Sequence, residues 1–168
     1  MLYTELDIPS VPESLVICDP DEVRKRHPDS RHLRGITESS SKTVYTTHDV
    51  NDELTNFLKQ YFGDDVVVKY QVLEKDIPIH IDFGRKAAFN YLLHEGGDKV
   101  ITRWYDKVKG KLEYIPKYEK RIPKFKWHKI DTSEYHTCTG ITDKRLALTI
   151  SVHYHKAMQS GTYHVGNT

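Results

Sequence analysis

The segment NDELTNFLKQYFGDDVVVKYQVLE, residues 51–74, changes its hydrophobic period part-way along. In its first half Leu54, Phe57, Leu58 and Tyr61 fall at i, i+3, i+4 and i+7, one apolar stripe of a helix. Asn51 suits the N-cap, Asp52 and Glu53 suit the positive helix start, and Gly63 suits the residue past its end. From Asp65 onward the period is two. DVVVKYQVLE (65–74), KAAFNYLLH (86–94), KVITRWYD (99–106) and RLALTISVHYH (145–155) are β-branched or aromatic runs bounded by Gly, Asp and Pro. EGGD (95–98) reads as a hairpin turn between two of them, and KLEYI and KFKWHKID read as further strands. One helix followed by short strands, with no βαβ alternation, predicts a mainly β fold with flanking helices, either a sandwich or an open barrel.

The chain has 168 residues, which suits one domain. The reading divides it into an N-terminal arm with loops over 1–50, a helix over 51–63, a strand core over 64–155 and a tail over 156–168. Within the arm a short strand is expected at Ser14–Cys18. Net charge is +1, so bulk charge points to neither nucleic acid nor membrane. The distribution is uneven, and KVKGKLEYIPKYEKRIPKFKWHK (107–129) carries nine basic residues against two acidic ones. Its aromatics could stack on single-stranded nucleic acid; a charged excursion between strands, or a lid, is the plainer reading. Two cysteines, Cys18 and Cys138, make no disulfide framework. The N-terminus has no signal-peptide pattern, and no apolar run approaches the ~20 residues that span a bilayer. The expectation is a cytoplasmic protein with no membrane partner.

The chemistry concentrates in IPIHIDFGRKAAFN (77–90), an apolar strand that carries His80 and Asp82 two places apart, hence on one face. In WHKIDTSEYHTCTGI, His136 lies 54 residues beyond Asp82 and nine before Arg145. The last strand has two faces. Leu146, Leu148, Ile150 and Val152 form an aliphatic side, while Arg145, Ala147, Thr149 and Ser151 form a small polar side headed by a cation. That second side suits a barrel interior holding a small anion, or else faces solvent. Two imidazoles and one carboxylate bind Fe(II) as a facial triad and leave coordination positions open. Those positions accommodate a bidentate 2-oxo acid and O2, and a distal carboxylate of that acid needs a cation such as Arg145.

The ordered set His80-x-Asp82, His136, Arg145 resembles the Fe(II)/2-oxoglutarate-dependent dioxygenases. Within them it is similar to the small prolyl-hydroxylase-like oxygenases, including phage-type ones. The resemblance spans roughly residues 64–155 and implies a double-stranded β-helix, the cupin-like jelly roll. It implies that His80, Asp82 and His136 hold Fe(II) and that Arg145 holds the distal carboxylate of the cosubstrate 2-oxoglutarate. Asn90 and Tyr70 match positions of further cosubstrate contacts. The implied reaction hydroxylates a small molecule or a protein side chain, with 2-oxoglutarate and O2 consumed and nucleic acid not involved. One departure is Ala147, where the family often has Ser or Thr two places after the arginine; Thr149 follows two further on.

Two rivals accompany this reading. One is a cupin-like metal enzyme that does not use 2-oxoglutarate; the other is a non-catalytic jelly-roll module. Among the remaining residues, His153-x-His155 could chelate zinc but reads better as an exposed strand end. His128, His94 and His48 read as surface residues and Cys138 as a small packed side chain. Arg85 and Lys86 are either solvated or placed to meet an anion at a pocket mouth.

Overall fold

The computed structural model describes residues 1–28, 45–82 and 84–151. Their strands in chain order are β1 (Tyr3–Glu5), β2 (Tyr45–Asp49), β3 (Val67–Leu73), β4 (Ile77–His80), β5 (Ala87–His94), β6 (Ile101–Lys107), β7 (Tyr114–Lys120), β8 (Trp127–Asp131), β9 (Tyr135–Thr139) and β10 (Arg145–Ser151). Helix α1 (Pro20–Arg26) precedes β2 and α2 (Asp52–Phe62) follows it. Six strands form one sheet in the order β1-β8-β5-β10-β3-β2, and four form the other in the order β4-β9-β6-β7. All strand pairings among the described residues are antiparallel.

From β3 onward the chain alternates between the sheets, with β6 and β7 together in the smaller one. The resulting orders, β8-β5-β10-β3 facing β4-β9-β6-β7, are those of a double-stranded β-helix. Strands β1 and β2 extend the larger sheet at its two edges. The expected jelly-roll, cupin-like architecture is therefore the one observed.

The main apolar core does not lie between the two sheets. It lies between the larger sheet and α2 with the N-terminal arm. Leu54, Leu58 and Phe62 of α2 are buried against Val68, Val72, Leu146 and Leu148, with Phe57 and Tyr61 packed at the margin. Each such apolar side chain contributes roughly 1.5–3 kcal/mol when fully buried. The helix is capped as its sequence predicts. The Asn51 side chain accepts from Leu54 N–H at 2.8 Å, and Gly63 ends it at a φ of 87°. Between the sheets, Tyr3, Leu92, Trp104 and Ile122 form a smaller apolar cluster. The rest of that space is a cavity lined by polar and apolar side chains.

The N-terminal arm differs from expectation. Glu13–Leu15 is a single 3-10 turn rather than part of a strand, and the strand of the arm is β1, paired with β8. Two tyrosine hydroxyls of the larger sheet fix the arm. Ile17 N–H donates to the Tyr70 hydroxyl at 2.9 Å and Val11 N–H to that of Tyr91 at 3.2 Å. Tyr70 is thus committed to the outer core and is almost fully buried there. Its alternation partners Lys69 and Gln71 face the cavity instead. The expected cosubstrate contact from Tyr70 is corrected accordingly: it stands on the wrong face of β3.

Candidate metal centre

His80 and His136 are direct cross-strand partners in the register of β4 against β9. The ring centroids are 4.3 Å apart. Strand β4 ends at His80, and Asp82 lies just beyond it, held by its own N–H donating to Thr132 O at 2.9 Å. Asp82 Oδ1 is 3.3 Å from His80 Nε2 and 3.9 Å from His136 Nε2. One ligand atom from each residue lies within 4.8 Å of the others. Three donors each about 2.0–2.2 Å from one ion, at right angles, sit roughly 3 Å apart. The three side chains fit that requirement with small adjustments.

Both imidazoles have a fixed tautomer. His80 Nδ1–H donates to Pro78 O at 2.8 Å and His136 Nδ1–H to Glu134 O at 2.9 Å. Each therefore turns Nε2 toward Asp82, the outer-sphere arrangement expected of metal-binding histidines. Burial works against a charge on His80, but its bond to Asp82 holds it up toward the imidazolium, a proton that a metal ion would displace. Pro78 is tolerated in β4 because that strand is an edge of the smaller sheet. Burial pushes His136 toward the neutral form, with His80 and Arg85 adding to it. Burial also works against ionised Asp82. The hydrogen bond from His80 and the Arg85 guanidinium outweigh it, bringing that carboxyl down to about 2. The site thus joins an ionised carboxylate to two imidazoles, of which His136 is held neutral.

Arg85 has a specific task in this arrangement. Its Nε and Nη2 both donate to Asp82 Oδ2, at 2.8 and 2.6 Å. One carboxylate oxygen is thereby occupied, and Oδ1 alone is left facing the histidines. Arg85→Ala should lower affinity for Zn(II) or Mn(II) by roughly 10–100-fold, the usual effect of losing an outer-shell partner. Chelator competition on the folded variant measures this; unchanged affinity would mean that Asp82 is oriented by other contacts.

The cavity between the sheets has a volume of about 710 Å³, within the roughly 300–1,000 Å³ of small-molecule sites. His80, Asp82 and His136 line it from one side, and Arg145, Asn90 and Thr149 from the larger sheet. Arg145 is 8% exposed. Its Nη1 donates to Glu95 O at 2.8 Å. The turn that supplies this carbonyl lies directly on the arginine: a Cβ on Gly96 would stand 2.7 Å from Arg145 Cβ, at a φ of +81°. The other cations lining the cavity are matched, Lys69 with Asp49 and Arg85 with Asp82. Arg145 has no carboxylate partner among the described residues. Arg103, a possible substitute anchor, is paired with Glu119 and donates to Thr139.

No family model matches the sequence, and no curated protein does. Solved structures do. Hydroxypropylphosphonic acid epoxidase from S. wedmorenis is 15% identical with a TM-score of 0.42, covering 84% of this chain and 61% of that one. Vicilin from Corylus avellana (hazelnut) is 9% identical with a TM-score of 0.42, covering 71% of this chain and 31% of that one. This chain thus spans about six-tenths of the epoxidase chain and a smaller part of vicilin. The assignment of the fold rests on the strand order.

The structure brings His80, Asp82 and His136 together and sets Arg145 and Asn90 on the same cavity, while Tyr70 is turned away. His128 and His48, read as surface positions, are buried, and His128 lines the cavity. Alternation could have found it, because Trp127 faces the outer core and His128 and Ile130 therefore face inward. Cys138 is buried as expected, at the cavity wall, where burial pushes its thiol up. His153 and His155 lie outside the described residues. Among the described residues no helix is long and apolar enough to cross a membrane.

Proposed function

We propose that the chain is an Fe(II)-dependent oxygenase that uses 2-oxoglutarate as cosubstrate and hydroxylates a substrate held in the inter-sheet cavity. The observation that supports it is the pairing, on one cavity, of the His80–Asp82–His136 cluster with a buried cation, Arg145, that has no carboxylate partner among the described residues. Either feature alone is common; together they match a bidentate 2-oxo acid with a distal carboxylate. Overall, 2-oxoglutarate, O2 and R–H give succinate, CO2 and R–OH, which balances without another reductant.

His80, Asp82 and His136 would hold the iron, which supplies the activation of O2. The chain's own part is positional. The Pro78 and Glu134 carbonyls keep both imidazoles in the metal-binding tautomer. Arg85 keeps Asp82 to one free oxygen. Arg145 meets the distal carboxylate with a planar fork in a site shielded from water, where such a charge-assisted pair is strongest. Ala147 and Thr149, next on that face of β10, leave room for the diacid chain.

The test is turnover of the iron-loaded protein. Given 2-oxoglutarate and O2, it should form succinate above an iron-only control, slowly even with no prime substrate added. Oxygen uptake that is independent of 2-oxoglutarate, with no succinate, would instead identify an iron enzyme of the cupin type with a different cosubstrate.

A further inference from the structure

A row of polar side chains crosses the larger-sheet wall of the cavity that also holds the metal cluster and Arg145. Asn90 of β5 pairs in register with Thr149 of β10 on one side and His128 of β8 on the other. Direct partners in an antiparallel pair present their side chains to the same face, and all three line the cavity. This wall is therefore specified by register rather than by a mobile loop.

The hydrogen-bonding character of this row is specific. His128 is 3% exposed, and its Nδ1–H donates to Lys126 O at 3.2 Å. Its Nε2 lone pair then has no protein partner among the described residues. Burial, with the field of Arg145 adding, pushes His128 down to about 4, so near neutral pH the ring offers an acceptor. Asn90 makes no side-chain hydrogen bond among the described residues, and its Oδ1 is buried without a partner. Leaving a buried acceptor unmet costs about 1–3 kcal/mol. Two adjacent acceptors call for a ligand that brings N–H or O–H groups. The cosubstrate 2-oxoglutarate brings none, so the Asn90 contact to the cosubstrate that the resemblance implies gives way here to one with the prime substrate.

We propose that Asn90 and His128 form the recognition point for a hydrogen-bond donor on the prime substrate, which is a small molecule bearing a hydroxyl or amino group. This rests on the oxygenase reading in assigning the donor to the prime substrate. The acceptor pair itself follows from the register and hydrogen bonding alone. It also assigns His128 a specificity role within the basic segment, whose charges otherwise point outward.

The experiment uses the metal-free protein, in which Arg145 anchors the carboxylate of a probe and only the far end of the probe varies. The probes are butyrate, pentanoate and hexanoate, each with its ω-hydroxy and ω-amino analogue, titrated by calorimetry. At the length that reaches the pair, the donor-bearing member should bind about tenfold more tightly than the methyl-terminated one, the effect of one well-made hydrogen bond. His128→Phe and Asn90→Leu should each erase that preference, and His128→Gln, which keeps an acceptor, should retain it. Circular dichroism of each variant establishes that the fold is intact. If every donor-bearing probe binds no better than its methyl analogue, or none binds at millimolar concentration, the pair holds only water and the proposal falls. If the preference holds while the iron-loaded protein makes no succinate, the donor site stands and the oxygenase reading falls.

Discussion

Replacing His80, Asp82 or His136 by Ala should strip the protein of stoichiometric metal. The effect should exceed the roughly 10–100-fold cost of outer-shell changes, because a ligand itself is lost and two donors cannot hold an ion in the open face that remains. The three positions fail for different reasons, which makes the set informative. His80 and His136 each supply a preset Nε2, so either Ala variant loses a donor and leaves the rest of the cluster in place. Asp82→Ala removes the only anionic donor and also leaves Arg85 beside the site without its partner, so a cation then repels the ion. Asp82→Ala should therefore be the most damaging. Elemental analysis after loading with Fe(II), Mn(II) or Zn(II) measures the outcome, with circular dichroism confirming the fold. Full metal content in both His80→Ala and Asp82→Ala would locate the metal elsewhere, with the His153-x-His155 pair the first alternative.

Arg145→Ala should weaken 2-oxoglutarate binding by two to three orders of magnitude while leaving metal content near wild type. Breaking a buried charge pair by removing one partner costs about 3–5 kcal/mol, and ~1.4 kcal/mol is tenfold. The cavity offers no substitute, since Lys69 and Arg85 are already bound to Asp49 and Asp82. Arg145→Lys should recover little, because an ammonium cannot reproduce the fork that meets a carboxylate at two points. Anaerobic calorimetric titration of 2-oxoglutarate into the Mn(II) protein reads the change. Equal binding by wild type and variant would remove Arg145 as the anchor; no binding by wild type would remove the cosubstrate.

The parts of the fold and site that were legible in the sequence are those set by local periodicity. Leu54, Phe57, Leu58 and Tyr61 mark α2, and the alternation over 145–151 separates an aliphatic core face from a small polar one, though whether the polar face meets a cavity or solvent depends on the partner sheet. His80 stands out as a histidine in an apolar strand, and His136, in a Thr- and Ser-rich segment, only through its order and spacing with His80, Asp82 and Arg145. The arm was illegible because β1 has three residues and pairs with β8 far along the chain, so no local pattern marks it. Tyr70 was misplaced by resemblance against the chain's own alternation, in which Val68, Tyr70 and Val72 share the buried outer face. His128 was obscured by the density of lysines around it. Arg85 could not be assigned from sequence, since its task depends on which oxygen of Asp82 it meets.

The position of β10 has a bearing on the order in which the molecule assembles. It is the last of the described strands in the chain, yet it occupies the middle of the larger sheet, hydrogen-bonded to β3 on one edge and β5 on the other. Until it docks, that sheet exists as two separate pieces, β2 with β3 and β5 with β8 and β1. Each piece exposes an open edge of backbone donors and acceptors that another chain could pair with. The contacts that close the gap join residues distant in sequence, which makes closure slow. Insertion of that one strand would close both open edges at once, and the same strand carries Arg145 into the cavity.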